Sequence, residues 1–200
     1  MKRSKRGVSR RTVIAGATLL PISAIQAAPQ RAPAQPAASV FSPEQRRTLE
    51  AVLDRLVPKD ELGPSAVECG VGEYIDRSLA DYLAPEKTDF LNGLAALDAY
   101  TRSSQNSGFA ELSPEKRDAV LTAIDNNQVP NLRGFFNRVR RLTLEGMFSD
   151  PFYGGNKNFA GWDLIRYPGI RLAVGPEDQK MKSLPAMNHR SAYGGNEHGH

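Results

Sequence analysis

The stretch EGMFSDPFYGGNKNFAGWDLIRYPG, Glu145 to Gly169, concentrates residue types that do chemistry: carboxylates, paired glycines, an asparagine and aromatic rings. Glu145 and Asp150 could form an acid/base pair, but such a pair needs surroundings that push the two pKa values apart. Nothing adjacent in the sequence would do so, and Asp150 before Pro151 reads as a cap or turn residue. The only histidines are His189, His198 and His200. His198 and His200 could share a metal ion, yet they stand in a Gly-rich tail without cysteines, where no preset ligand set or second shell is expected. The same placement leaves any nucleophile without a positioned base. One cysteine, Cys69, excludes a Cys-ligated cluster, and no Cys-x-x-Cys-His haem motif occurs. The glycines of YGGN and GPSAVECGVG neither follow a strand nor open a βαβ unit, so the nucleotide fingerprint fails its context. The basic run Arg138 to Arg141 could bind acidic lipid or a partner carboxylate, but a charge run reads first as a solvated helix face. Catalytic, cofactor-binding and metal-binding residues are therefore all expected to be absent from this chain.

The charge balance points elsewhere than nucleic acid. Of 26 Lys and Arg, six (Lys2, Arg3, Lys5, Arg6, Arg10 and Arg11) fall in the first 27 residues, leaving 20 against 22 acidic residues. The basic pI of about 9.3 thus belongs to the leader. That leader, residues 1–27, has a basic start, the sequence SRRTVI around Arg10-Arg11, and a short, weakly apolar run ending in Ile25-Gln26-Ala27. It reads as a twin-arginine (Tat) signal peptide, with an ordinary Sec signal and an uncleaved anchor as the other readings. Tat carries folded cargo, so the mature chain is expected in the periplasm. There Cys69 has two readings, an intersubunit disulfide or a buried thiol.

A Pro/Ala-rich linker, residues 28–40, precedes a helical domain at 41–148. Ser42, Pro43 and Gln45 spell a capping box with proline at the first helical position. Leu49, Val52, Leu53 and Leu56 then recur at helical spacing until Pro58. A second helix is expected over about 72–83, with Ile75, Leu79 and either Tyr82 or Leu83 inward. A third carries Phe90, Leu94, Leu97 and Tyr100. A fourth starts at Ser113-Pro114 and buries Val120, Leu121 and Ile124. A fifth, after Pro130, carries Phe135, Val139, Leu142 and Met147. No stretch alternates long enough to predict a sheet, so the fold is all-α: about five helices in a compact bundle. Periodicity stops at Ser149. Residues 149–175 are expected to be an irregular, aromatic and Gly-rich segment without a further helix, and residues 176–200 a polar tail that moves freely.

Phe148, Phe152, Tyr153, Phe159, Trp162 and Tyr167 crowd this irregular segment. Rings on irregular backbone suit a protein interface, though they would also suit a seal at the end of the bundle. The partner-facing residues are expected to be Phe152, Tyr153, Gly154, Gly155, Asn156, Trp162 and Tyr167.

DPFYGGN followed by GWDLIRYPG, with LDRLVPKDELGPSAVECGVGEYID, GLAAL and GFAELSPEKRDAVL before it, resembles the gluconate 2-dehydrogenase subunit 3 family over about Phe41 to Gly169. The resemblance implies the small, non-catalytic subunit of a membrane-associated, FAD-dependent dehydrogenase of the gluconate, glucose or sorbitol type. FAD would lie in a flavoprotein catalytic subunit, and haem c in a multihaem cytochrome c subunit. The small subunit would escort the flavoprotein through the Tat translocase and act as its assembly chaperone. It would stay with it on the outer side of the cytoplasmic membrane. Two other readings are a stand-alone exported enzyme and an envelope binding module, each using the aromatic loop.

Overall fold

The structure is a computed structural model that describes residues 38–171, 175–176, 180 and 186–193. The leader with Arg10 and Arg11, the linker up to residue 37, and His198 and His200 lie outside the described residues. Among the described residues six helices follow one another: α1 (Pro43–Leu56), α2 (Val71–Ala80), α3 (Lys87–Gln105), α4 (Pro114–Asp125), α5 (Pro130–Phe148) and the short α6 (Ala160–Leu164). Single 3-10 turns lie at Ala84–Glu86, Phe109–Glu111, Pro151–Tyr153 and Lys157–Phe159. The described residues contain no strand and no helix long and apolar enough to cross a membrane.

Local chemistry sets the helix ends. Ser42 Oγ accepts from the Gln45 N–H at 3.2 Å and Gln45 Oε1 from the Ser42 N–H at 2.9 Å, the reciprocal capping box read in the sequence. Asp76, buried on α2, accepts from the Val40 N–H at 2.7 Å, which pins the start of the domain to α2. Asn106 ends α3 in the left-handed conformation that asparagine tolerates better than most residues.

Helix α5 is the axis, packing against α1, α2, α3, α4 and α6. Its inward face is Leu132, Phe136, Val139, Leu142 and Met147. The apolar spacing predicts Phe135 on this face, whereas Leu132 and Phe136 occupy it. Phe135 lies only partly buried at the rim, where it fills the space left by Gly93 of α3 and meets Phe90 edge-on at 5.4 Å. Leu83 turns into the core and Tyr82 out of it, which decides the ambiguous end of α2. Each fully buried leucine or phenylalanine here contributes roughly 1.5–3 kcal/mol of transfer free energy. Arg138, Arg140 and Arg141 pair with Glu86, Asp125 and Glu145 at 3.1, 3.6 and 3.8 Å, so the basic run is a neutralised surface face.

Candidate docking surface

Beyond α5 the chain makes no long helix, yet it is closely held. Its first support is main-chain contact. An ideal Cβ on Gly155 would fall on the carbonyl of Gly146, and one on Gly161 on the carbonyl of Met147. Only glycine lets the segment lie so near α5. The second support is Asn156, which has no exposed surface. Its side-chain amide donates to Ser149 O at 2.9 Å, while its Oδ1 accepts from the N–H groups of Gly161 at 2.8 Å and Trp162 at 3.3 Å. One side chain thus closes the loop and feeds the first turn of α6. A third support is the Lys157 N–H, which donates to Cys69 O at 3.0 Å and ties the segment to the turn before α2.

Trp162 is 4% exposed, and its indole N–H donates to Phe148 O at 2.9 Å. Its ring packs between Phe159, at 5.2 Å, and Tyr167, at 4.9 Å. The expectation of an irregular segment without a helix is therefore corrected. Two 3-10 turns and α6 form here, because left-handed Asn156, Asn158 and Phe159 redirect the chain in ways periodicity does not register.

The seven residues expected to face a partner divide into two sets. Gly155, Asn156 and Trp162 point inward and build the scaffold; buried polar groups must be bonded, and the nearest partners are in this chain. Phe152 (53% exposed), Tyr153 (41%) and Tyr167 face outward. Gly154, at φ 98°, makes the turn between the two sets. Cys69 is fully buried, and burial pushes its thiol pKa up. This burial is the environment that the buried-thiol reading describes, and an intersubunit disulfide would require the Cys69 sulfur to become accessible.

The tail is the larger difference. Residues 186–193, expected to move freely, return to this segment. Tyr193 (56% exposed) stacks on Phe152 at 4.4 Å, and its phenol meets that of Tyr153 at 2.6 Å, with either able to donate. That hydrogen bond, with some desolvation, raises the Tyr153 pKa. The phenol stays protonated and remains a donor across the physiological range. No sequence signal marked Tyr193, because its partners are about forty residues away. With Tyr82, exposed at the end of α2 and bonded through its phenol to Tyr74 at 2.9 Å, the outward rings of Phe152, Tyr153 and Tyr193 carry three hydroxyls at the rim of an apolar surface.

The carboxylates of the segment are already engaged. Glu145 accepts from the buried Tyr74 phenol at 3.2 Å. Asp150 accepts from the Phe152 N–H at 3.0 Å, Ser191 Oγ at 2.7 Å and the Ala192 N–H at 2.8 Å. Among the described residues no three His, Cys, Asp or Glu side chains gather as a metal site. A depression of about 420 Å³ lies beside α6, lined by Leu62, Pro64, Asp163, Leu164 and Arg166 among others. The arrangement is suited to holding aromatic and phenolic groups at a surface.

The family model described as Gluconate 2-dehydrogenase subunit 3 matches residues 43–169, well over half of the chain. No curated protein and no solved structure matches.

Proposed function

The chain belongs to the gluconate 2-dehydrogenase subunit 3 family, and on that premise we propose that it is the non-catalytic small subunit of an FAD-dependent sugar or polyol dehydrogenase complex. Its partners are a flavoprotein catalytic subunit, which carries FAD, and a multihaem cytochrome c subunit, which passes electrons on. The subunit escorts the flavoprotein through the Tat translocase, assists its assembly, and stays with it at the periplasmic face of the cytoplasmic membrane. Arg10 and Arg11 carry the export role.

The observation that best supports this reading is the outward set Phe152, Tyr153 and Tyr167, mounted on a backbone that Asn156 and Trp162 fix from within. Rigid aromatics bury large area at low entropic cost, which is the character of interface hot spots. Phe152→Ala with Tyr153→Ala is expected to lower co-purification of the co-expressed flavoprotein at least tenfold, on the order of 2 kcal/mol. An undiminished yield of complex would remove the docking role from these rings. Replacing Arg10 and Arg11 by lysines should leave the flavin-dependent activity in the cytoplasm, and normal export would remove the escort role.

A further inference from the structure

The segment between Asp150 and Ile170 holds residues 188–193 of its own chain at three stations. At the first, the Asn188 N–H donates to Pro168 O at 3.0 Å and its side-chain amide to Ile170 O at 3.2 Å. Gly169 lies between these carbonyls with φ 87°, and a Cβ there would fall on Asn188. At the second, His189 lies flat on Phe159, 5.1 Å between centroids and 7° between planes, and shares a 2.6 Å hydrogen bond with Asp163. At the third, Asp150 takes both Ser191 Oγ and the Ala192 N–H while Tyr193 stacks on Phe152.

Each station reads a side-chain type: an amide bonded to the backbone, a ring with a nitrogen, a hydroxyl followed by a phenol. A tail resting on an indifferent surface would not meet such a set. The stations lie within the family-matched residues, apart from the Ile170 carbonyl, whereas the tail lies beyond them.

We propose that residues 150–170 form a recognition strip for an extended peptide of the pattern Asn-His-x-Ser-x-Tyr, and that the chain's own residues 188–193 are its occupant in cis. The occupant can leave without unmaking the strip, because Asn156 and Trp162 make their hydrogen bonds within residues 148–167 and none with the tail. Its own anchorage is solvent-facing: of residues 186–193 only Ser191 is buried, the two ring stacks are made by its exposed His189 and Tyr193, and exposed hydrogen bonds exchange with water at little net gain. When the occupant leaves, Phe152 and Phe159 each lose a stacked ring and the carboxylates of Asp150 and Asp163 open. The tail therefore sets which surface a docking partner meets. That last consequence rests on the accessory role proposed above, and the strip itself does not.

The test uses the full chain carrying His189→Ala, Ser191→Ala and Tyr193→Ala, and a synthetic peptide of residues 186–193, AMNHRSAY. Trp162, the sole tryptophan, packs against Phe159 and reports the second station. Amide exchange at Asn188 and Ala192 should rise at least tenfold in the triple variant, with exchange in α1 to α5 unchanged. The peptide should bind this variant saturably, shift its Trp162 emission, and bind the native chain at least tenfold more weakly because the strip is filled. Equal binding to both chains, binding to neither, or equal binding of a scrambled peptide would overturn the strip. Capture of the co-expressed flavoprotein should differ severalfold between the native and triple-variant chains, and equal capture would overturn the covering role. If the native chain captures no flavoprotein, the accessory role fails while the peptide titration still decides the strip.

Discussion

Leu142 on α5 and Asn156 in the segment beyond it are both completely buried, yet they hold the chain by opposite means. Leu142 acts by volume: it fills space between helices, and any apolar side chain of similar shape does part of its work. Asn156 acts by direction, with one acceptor and one donor group aimed at three main-chain atoms. The bundle therefore tolerates substitution gradually, whereas the segment depends on a few contacts that are either made or lost. Stability belongs to the first region and surface display to the second.

Mutations can break this contrast. The largest effect is expected from Leu142→Ala, which should cost about 3–4 kcal/mol as transfer and cavity terms add. Far-UV dichroism and Trp162 emission should lose signal together in a denaturant titration. If Trp162 emission were lost well before the helices, α5 would not be the shared support of both regions. Gly161→Ala should cost about 2–3 kcal/mol, because its Cβ meets the carbonyl of Met147 rather than a movable side chain. Here Trp162 emission should shift while helical dichroism stays. Alkylation of Cys69, slow in the native chain because the thiol is buried, should accelerate as the Lys157 contact opens. Dichroism falling in step with emission would show that the segment is no separate unit.

Asn156→Ala should cost about 2 kcal/mol by leaving buried Ser149 O and the Gly161 N–H without partners. Calorimetry would register it, and a loss under ~0.5 kcal/mol would mean that water replaces the side chain. The smallest effect belongs to the bundle surface. Arg55 holds the Asp118 carboxylate through two hydrogen bonds of 2.7 and 2.8 Å, and this lowers the Asp118 pKa. A group whose folded pKa is depressed contributes stability above its unfolded pKa, about 3.9, and loses it as pH falls through the folded value. Asp118 is 48% exposed and Arg55 21%, so solvent screening keeps the contribution under about 1 kcal/mol. Asp118→Asn should flatten the acid side of the stability profile by that amount; an unchanged profile would leave the pair without thermodynamic weight.

The two regions also differ in how far the sequence disclosed them. Helices α1 to α5 follow from apolar spacing, the Ser42 capping box and the prolines at 43, 114 and 130, since a helix repeats its environment every turn. The differences there are small: Phe136 rather than Phe135 faces inward, and Leu132 joins it. In the segment the residue types were legible and their orientation was not. Asn156 and Trp162 look as fit for a partner as for the chain itself until the positions of Ser149 and Phe148 are known. The return of Asn188 to Tyr193 left no local mark, because an extended segment of this kind has no period and its partners lie 18 to 42 positions earlier.

The glycine contacts with α5 have a consequence for how such a subunit changes over time. Gly155 and Gly161 press on main-chain oxygens, which no compensating substitution can remove. Variation at those points is closed, while Phe152 and Tyr153 stand on the same backbone and meet chiefly each other and the exposed Tyr193. Exchange of those exposed rings would alter the displayed surface while leaving the glycine contacts that carry it in place.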